Sequence, residues 1–179
     1  MSAVLRPSRR APCCHRKRVL MSDTPIVMHE QQFRQIEAVV AKLLHDAAAR
    51  VVFLVDKDGQ QIAVKGEVGN IDTTSLASLA AGNVAATGGM AELIGEKEFP
   101  TLSHEGERES IHICVIGRVL LVVIFDDRSS LGLVKLRVKQ VTPELHAIFE
   151  EVARATKQAA SDESFFAEIT DEDIDSLFN

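Results

Sequence analysis

Tryptophan and tyrosine are absent from this 179-residue chain, and its aromatic content rests on eight phenylalanines. Binding of single-stranded nucleic acid draws on successive aromatic faces for stacking, so that class is disfavoured at the outset. Cysteine is scarce as well. Cys13, Cys14 and Cys114 cannot make a disulfide framework. The adjacent Cys13-Cys14 pair, even with His15, lacks a second ligand pair at zinc-site spacing. A reducing, cytosolic compartment is the default for such a composition. No apolar run approaches the ~20 residues that a membrane-spanning helix needs. Acids are missing from residues 1–20, and Lys and Arg are missing from residues 158–179.

Those two gaps mark the ends off from the body. Residues 1–20 hold Arg6, Arg9, Arg10, Arg16, Lys17 and Arg18, six of the chain's 20 basic residues, which leaves 14 basic against 26 acidic, a net of −12. Such a body repels nucleic acid and anionic membrane. No apolar run of signal-peptide length follows the Arg9-Arg10 pair, and MSDTPIVMHE from Met21 reads like an ordinary protein start. The expected division is a disordered basic extension over 1–20, one domain over 21–157 and an acidic flexible tail over 158–179. Within the tail, Thr170 and Asp173 resemble a capping box, and Ile174, Leu177 and Phe178 follow at i, i+3 and i+4. That pattern predicts a short helix that folds on a partner groove.

Between the ends, hydrophobic spacing predicts a helix from His29 to Arg50 through Phe33, Ile36, Val39, Val40, Leu43 and Leu44. Two apolar runs around Asp58-Gly59 predict a hairpin with both turn residues at positive φ. A short strand around Leu102 comes next, then a hairpin of Ile111–Ile116 and Val119–Phe125 turned at Gly117-Arg118. Ser129 or Ser130 is placed to cap a final helix, and Pro143 predicts a kink or restart before it ends near Lys157. The order α-β-β-α-β-β-β-α predicts an α+β fold with helices on a five-stranded antiparallel sheet.

The segment Ile71–Gly95 is the most distinctive part of the chain. Its spacing is helical, with Thr73 as the expected N-cap, yet it holds Gly82, Gly88 and Gly89. Each interior glycine costs a helix about 1 kcal/mol relative to alanine, roughly 3 kcal/mol in all. Ala81, Ala85 and Gly89 lie four apart on one line with Ser78 and Gly82 beside them, and Leu76, Leu79, Asn83, Met90 and Ile94 make the expected core stripe. A smooth face of small residues lets another backbone approach closely, whether the chain's own sheet or a second molecule.

Catalytic signatures are missing. GNVAATGG has neither P-loop spacing nor its lysine, no serine sits in a nucleophile elbow, and Asp56 and Asp58 stand too close to Gly59 for a calcium loop. The six histidines form no helical ligand pair, although His104 and His112 are placed to face each other across strands, and Cys114 falls in apolar strand company. No metal site, cofactor site or active site is expected.

The strings VVFLVDKDGQ, NIDTTSLASLAAGNVAATGG, LIGEKEFP and LLVVIFDDRSSLGLVKLR resemble the roadblock (dynein light-chain) family, and within it the bacterial MglB-like branch. FAEITDEDIDSLF extends the likeness into the tail, while residues 1–20 stay outside it. The resemblance implies a cytoplasmic homodimer, a cell pole being one such place, whose second helices pack together and whose sheets join. It implies GTPase activation without an active site of its own, acting in cell polarity and motility on one GTP-bound Ras-like GTPase (MglA-like) per dimer. It carries the partner face onto Ser78, Ala81, Gly82, Ala85, Ala86 and Gly89, with a tail contact through Phe166, Ile169, Ile174, Leu177 and Phe178. It also implies that no arginine finger is donated. Arg50, Arg108, Arg118, Arg128 and Arg137 are present, and loop placement favours only Arg108, Arg118 and Arg128 for that role. A roadblock adaptor without effect on GTP turnover shares the fold and dimer. A small-ligand sensor of similar build needs a pocket with convergent polar groups, and the spacing of the sequence locates none.

Overall fold

The computed structural model describes Met28 and residues 30–166, with side-chain surroundings to residue 156. The basic extension, the side chain of Phe166, and Ile169, Ile174, Leu177 and Phe178 lie outside the described residues. Three helices and five strands follow in the order α1 Glu30–Asp46, β1 Val51–Asp56, β2 Gln61–Gly66, α2 Thr73–Leu93, β3 Thr101–Glu105, β4 Ser110–Ile116, β5 Val119–Phe125 and α3 Leu131–Phe166. All pairings are antiparallel, in the spatial order β2-β1-β5-β4-β3. The α+β class and strand count expected from the sequence hold.

The central strands explain the layering. β1 and β5 are buried along their whole apolar runs, so both sheet faces must be covered. On one face Val52, Leu54, Cys114, Leu121 and Val123 meet α1 (Ile36, Val39, Val40, Leu43) and α3 (Val134, Val138, Val141, Leu145, Ile148). On the other, Val51, Phe53, Val55, Ile113, Leu120, Val122 and Ile124 meet α2 alone.

Local chemistry sets the turns. Gly59, at φ +88°, closes the first hairpin, where Asp56 Oδ1 accepts from the backbone N–H of Asp58 (3.0 Å) and Gln60 (2.7 Å). Among the described non-glycine residues only Ala48 has positive φ, so Asp58 does not share the left-handed region. The carboxylate of Asp56 and a register shift at Leu54/Val55 replace the expected two-residue turn. A Cβ on Gly59 would meet Ser78 Cα at 3.0 Å, so the turn abuts α2. Gly117, at φ +60°, takes the first central position of the β4–β5 turn, as a type II′ hairpin requires.

Three sequence expectations are corrected. Asp72, not Thr73, caps α2: its carboxylate accepts from Ser75 N (3.1 Å) and Ser75 Oγ (2.5 Å), contacts that hold its pKa below the usual carboxylate value. Pro143 does not end α3. It stands on the exposed side, so the Lys139 carbonyl that loses its helical partner faces water, while the buried row continues through Leu145, Ile148 and Val152. The helix accordingly runs past Lys157. Finally, His112 pairs with Ser103 and His104 with Ile111, which puts the two rings on opposite faces of the sheet.

Ala48 terminates α1 at φ +46°, with Ala49 N donating to Leu44 O (3.0 Å) in a Schellman-type closure that glycine favours. Ala48→Gly is expected to stabilise the fold by up to about 1 kcal/mol, a rise in Tm of roughly 2–4 °C by calorimetry. A lower Tm would contradict the strain reading.

Candidate interaction surface

α2 rests on the sheet through alanine. Ala77, Ala80, Ala81 and Ala91 are its buried residues, with Leu76 and Val84 packed partly against the same cluster. The sheet face below is already bulky with Val, Ile, Leu and Phe, so side chains of one carbon bring the helix down onto it. The larger residues are displaced outward: Leu79 and Ile94 are each 69% exposed, Met90 59% and Leu93 87%. This reverses the expected core stripe, of which only Leu76 and Asn83 are even half-buried.

The small-residue stripe divides between the two sides. Ala81 is 8% exposed and sits on the sheet, so it is not part of a free surface. Ser78, Gly82, Ala85, Ala86 and Gly89 are exposed and run along the outer side of α2, flanked by Leu79, Met90 and Leu93. A Cβ built on Gly82, Gly88 or Gly89 meets nothing within 4 Å. No contact inside the described subunit therefore explains why these positions forgo alanine.

The sheet edge beside this face is open. β3 bonds only to β4, and its residues other than Leu102 are exposed. Asn83 Nδ2 on α2 lies 2.9 Å from His104 Nε2 on β3, which joins helix face and strand edge into one surface. The opposite edge, β2, is guarded: Lys65 Nζ lies 2.6 Å from Glu37 Oε1 on α1, and the strand ends at Gly66 with φ +116°.

The arginines are placed as follows. Arg50 pairs with Glu109, Arg128 is held by Asp126 at 3.0 Å, and Arg137 Nη1 donates to Gln140 at 3.0 Å. The Asp126 contacts raise the pKa of Arg128, and the guanidinium in turn holds Asp126 low. The side chains of Arg108 and Arg118 have no bonded partner among the described residues and stand at opposite ends of the sheet. α2 itself has neither Arg nor Lys.

Other polar groups are structural. His112, 1% exposed, has Nδ1 2.8 Å from Ser103 Oγ, and burial, then the nearby Lys135 charge, push its pKa below 6.5. The unfolded chain therefore takes up this proton first as pH falls. Stability from a neutral His112 is complete above about 6.5 and declines below it, by no more than about 1.4 kcal/mol per pH unit. Melting at pH 7.5 and 5.5 is expected to show a larger acid loss for the natural chain than for His112→Phe; equal losses would remove His112 as the cause. Burial raises the Cys114 thiol, partly offset by a hydrogen bond with Thr142, so the thiolate is disfavoured. A hollow of about 170 Å³ between α1 and α3, lined by Lys42, Asp46, Arg137, Gln140 and Glu144 among others, is below the size of an organic-ligand site. Among the described residues no group of three His, Cys, Asp or Glu could hold a metal, and no helix is long and apolar enough to cross a membrane.

A Roadblock/LC7 domain model matches residues 35–125. Myxococcus xanthus MglB is 59% identical with a TM-score of 0.67, over 70% of this chain and 96% of that one. The gliding protein MglB of Thermus thermophilus is 33% identical with a TM-score of 0.68, over 72% and 98%. An MglB solved in a tetrameric arrangement is 32% identical with a TM-score of 0.69, over 73% and 98%. Among curated proteins none matches.

Proposed function

This chain belongs to the Roadblock/LC7 family, and we propose that it is a homodimeric activator of a small Ras-like GTPase of the MglA kind. The observation that carries this reading is the outer face of α2. Three glycines with nothing to contact stand among exposed Leu79, Met90, Leu93 and Ile94. Exposed apolar residues on this scale mark interaction sites, and the missing side chains allow close backbone approach. The likeness to MglB proteins supplies the chemistry of the partner.

The unprotected β3 edge supports a dimer in which two β3 strands pair and the two sheets become one. The relative in a tetrameric arrangement supports self-association beyond a pair. The GTP-bound partner then docks on the α2 faces, through Ser78, Gly82, Ala85, Ala86 and Gly89. In this reading the chain accelerates hydrolysis by fixing the GTPase's own catalytic groups in place rather than by inserting an arginine, which the lack of any Lys or Arg on α2 supports. The tail adds a second contact through Phe166, Ile169, Ile174, Leu177 and Phe178. The site of action is the cytoplasm, including a cell pole.

Single-turnover GTP hydrolysis by an MglA-type GTPase, with and without the chain, tests the reading. Acceleration is expected, and binding without acceleration would assign an adaptor role instead. A donated finger is worth about 10³–10⁵ in rate, so Arg108→Ala and Arg118→Ala are each expected to retain most of the stimulation. Collapse in either, with binding intact, would overturn catalysis by positioning. A chain lacking residues 166–179 is expected to bind more weakly and with less salt dependence; unchanged affinity would make the tail a solvated end.

A further inference from the structure

The hollow between α1 and α3 is built of charged groups that do not pair with one another. Lys42 and Asp46, one turn apart on α1, face Arg137, Gln140 and Glu144, which follow at helical spacing on α3. Leu43 and Val141, both buried, complete the lining. Among the described residues neither carboxylate makes an ion pair with Arg137 or Lys42; the side chain of Asp46 lies instead 3.6 Å from the His45 ring. Arg137 uses only part of its donor set. Its Nη1 donates to Gln140 Oε1 at 3.0 Å, while its Nε is buried with no hydrogen-bond partner. No other buried side-chain nitrogen or oxygen among the described residues is left so. A buried donor without an acceptor is costly, and more so on a charged group. The site calls for an acceptor that the described subunit does not supply.

The volume and charge of the hollow select that acceptor. About 170 Å³ holds an ion of a few heavy atoms and not an organic ligand of ordinary size. Two cations, Lys42 and Arg137, are balanced by two carboxylates, Asp46 and Glu144. A fully ionised anion such as sulfate is attracted by the first pair and repelled by the second, and it has no hydrogen to offer a carboxylate. Inorganic phosphate keeps at least one P–OH near neutral pH. It can accept from Arg137 Nε, the Lys42 ammonium and the Gln140 amide while donating that hydrogen to Asp46 or Glu144, so both kinds of group find a partner. A phosphate ester near neutral pH has lost most of its remaining proton and suits the carboxylates less.

We infer that the hollow between α1 and α3 is a binding site for inorganic phosphate. It lies on the side of the sheet opposite α2, and it stands or falls separately from the GTPase reading. A phosphate held there ties Lys42 on α1 to Arg137 on α3, so it stabilises the folded subunit by mass action.

Phosphorus NMR of inorganic phosphate with the full chain, in chloride buffer at fixed pH and ionic strength, tests this. A saturable shift or broadening of the phosphate signal is expected, with a higher Tm in phosphate than in chloride of the same ionic strength. Arg137→Gln and Lys42→Gln are each expected to weaken binding about tenfold or more. Lys42 is exposed, so its variant tests the site even where Arg137→Gln disturbs packing. Arg154→Gln, exposed further along α3, is expected to leave binding unchanged. Sulfate and O-phosphoserine are expected to compete about tenfold less well or worse, and the double variant D46N/E144Q is expected to narrow that gap. No saturable signal would mean that the hollow holds only water and would overturn the site. Binding that survives both Arg137→Gln and Lys42→Gln would place the ion elsewhere on the chain. Sulfate or phosphoserine bound as tightly as phosphate would overturn the selection for a protonated oxyanion, and the inference with it.

Discussion

Gly89→Arg is expected to leave the fold intact and to abolish acceleration of GTP hydrolysis, whereas Gly89→Ala makes the subunit more stable. The two outcomes come from one position because its helix and its surface make opposite demands. Within α2, glycine is the poorest residue short of proline, so alanine recovers about 1 kcal/mol and arginine nearly as much. Nothing in the subunit opposes either side chain, since a Cβ at Gly89 has no neighbour within 4 Å. In the proposed complex the same face is closed by another molecule. An arginine there is buried without a partner or holds the surfaces apart, at several kcal/mol and a fall in affinity of about a hundredfold or more. Denaturant unfolding and a binding titration on the same preparations check both halves. Unchanged GTPase affinity for Gly89→Arg would remove this face from the interface, and a loss of stability for Gly89→Ala would mean that glycine is needed by the subunit itself.

The same segment marks how far the sequence could be read. The succession of helices and strands along the chain and the place of both hairpins follow from hydrophobic spacing and turn residues, because central strands such as Val51–Val55 and Val119–Phe125 are apolar on both faces. The orientation of α2 does not follow. Spacing treats large apolar residues as the inward ones, and here Leu79, Met90 and Ile94 point outward over an alanine contact. A signal was nonetheless present. Glycines inside a helix at a cost of roughly 3 kcal/mol have no purpose against solvent, and large apolar residues on the same helix suit an interface as well as a core. Ala81 shows the limit of that signal: alanine serves equally at the sheet and at a partner, and only the packed structure assigns it to the sheet. Strand register was likewise invisible. His104 and His112 are eight positions apart across a turn of unspecified length, and a single residue of shift decides whether two side chains share a face. Pro143 misled for a related reason, since its effect on a helix depends on whether the freed carbonyl meets water or core.

Ser103→Pro is expected to convert the proposed dimer to single subunits and, with it, to remove most of the proposed GTPase stimulation. Pro100 O accepts from Val115 N–H at 2.9 Å, and hydrogen-bonded pairs alternate along an antiparallel ladder. Leu102 and His104 therefore bond to β4, while Thr101, Ser103 and Glu105 turn their N–H and C=O groups outward to the open edge. Proline at Ser103 spares the chain's own ladder, since it removes only the outward N–H, and edge strands tolerate it. Between two copies the missing donor counts twice and the ring blocks close approach. Two lost donors leave buried carbonyls unpaired at about 1–3 kcal/mol each, so the dimer weakens roughly thirtyfold at the least. Ser103→Ala separates this effect from loss of the Ser103 Oγ contact with His112 Nδ1, because it removes that contact and keeps the N–H. Light scattering after gel filtration is expected to give half the dimer mass for the proline variant and the full dimer mass for the alanine variant. If the proline variant keeps the dimer mass, the β3 edge is not the seam between subunits. If the alanine variant also dissociates, the seam depends on the Ser103 side chain rather than on strand pairing.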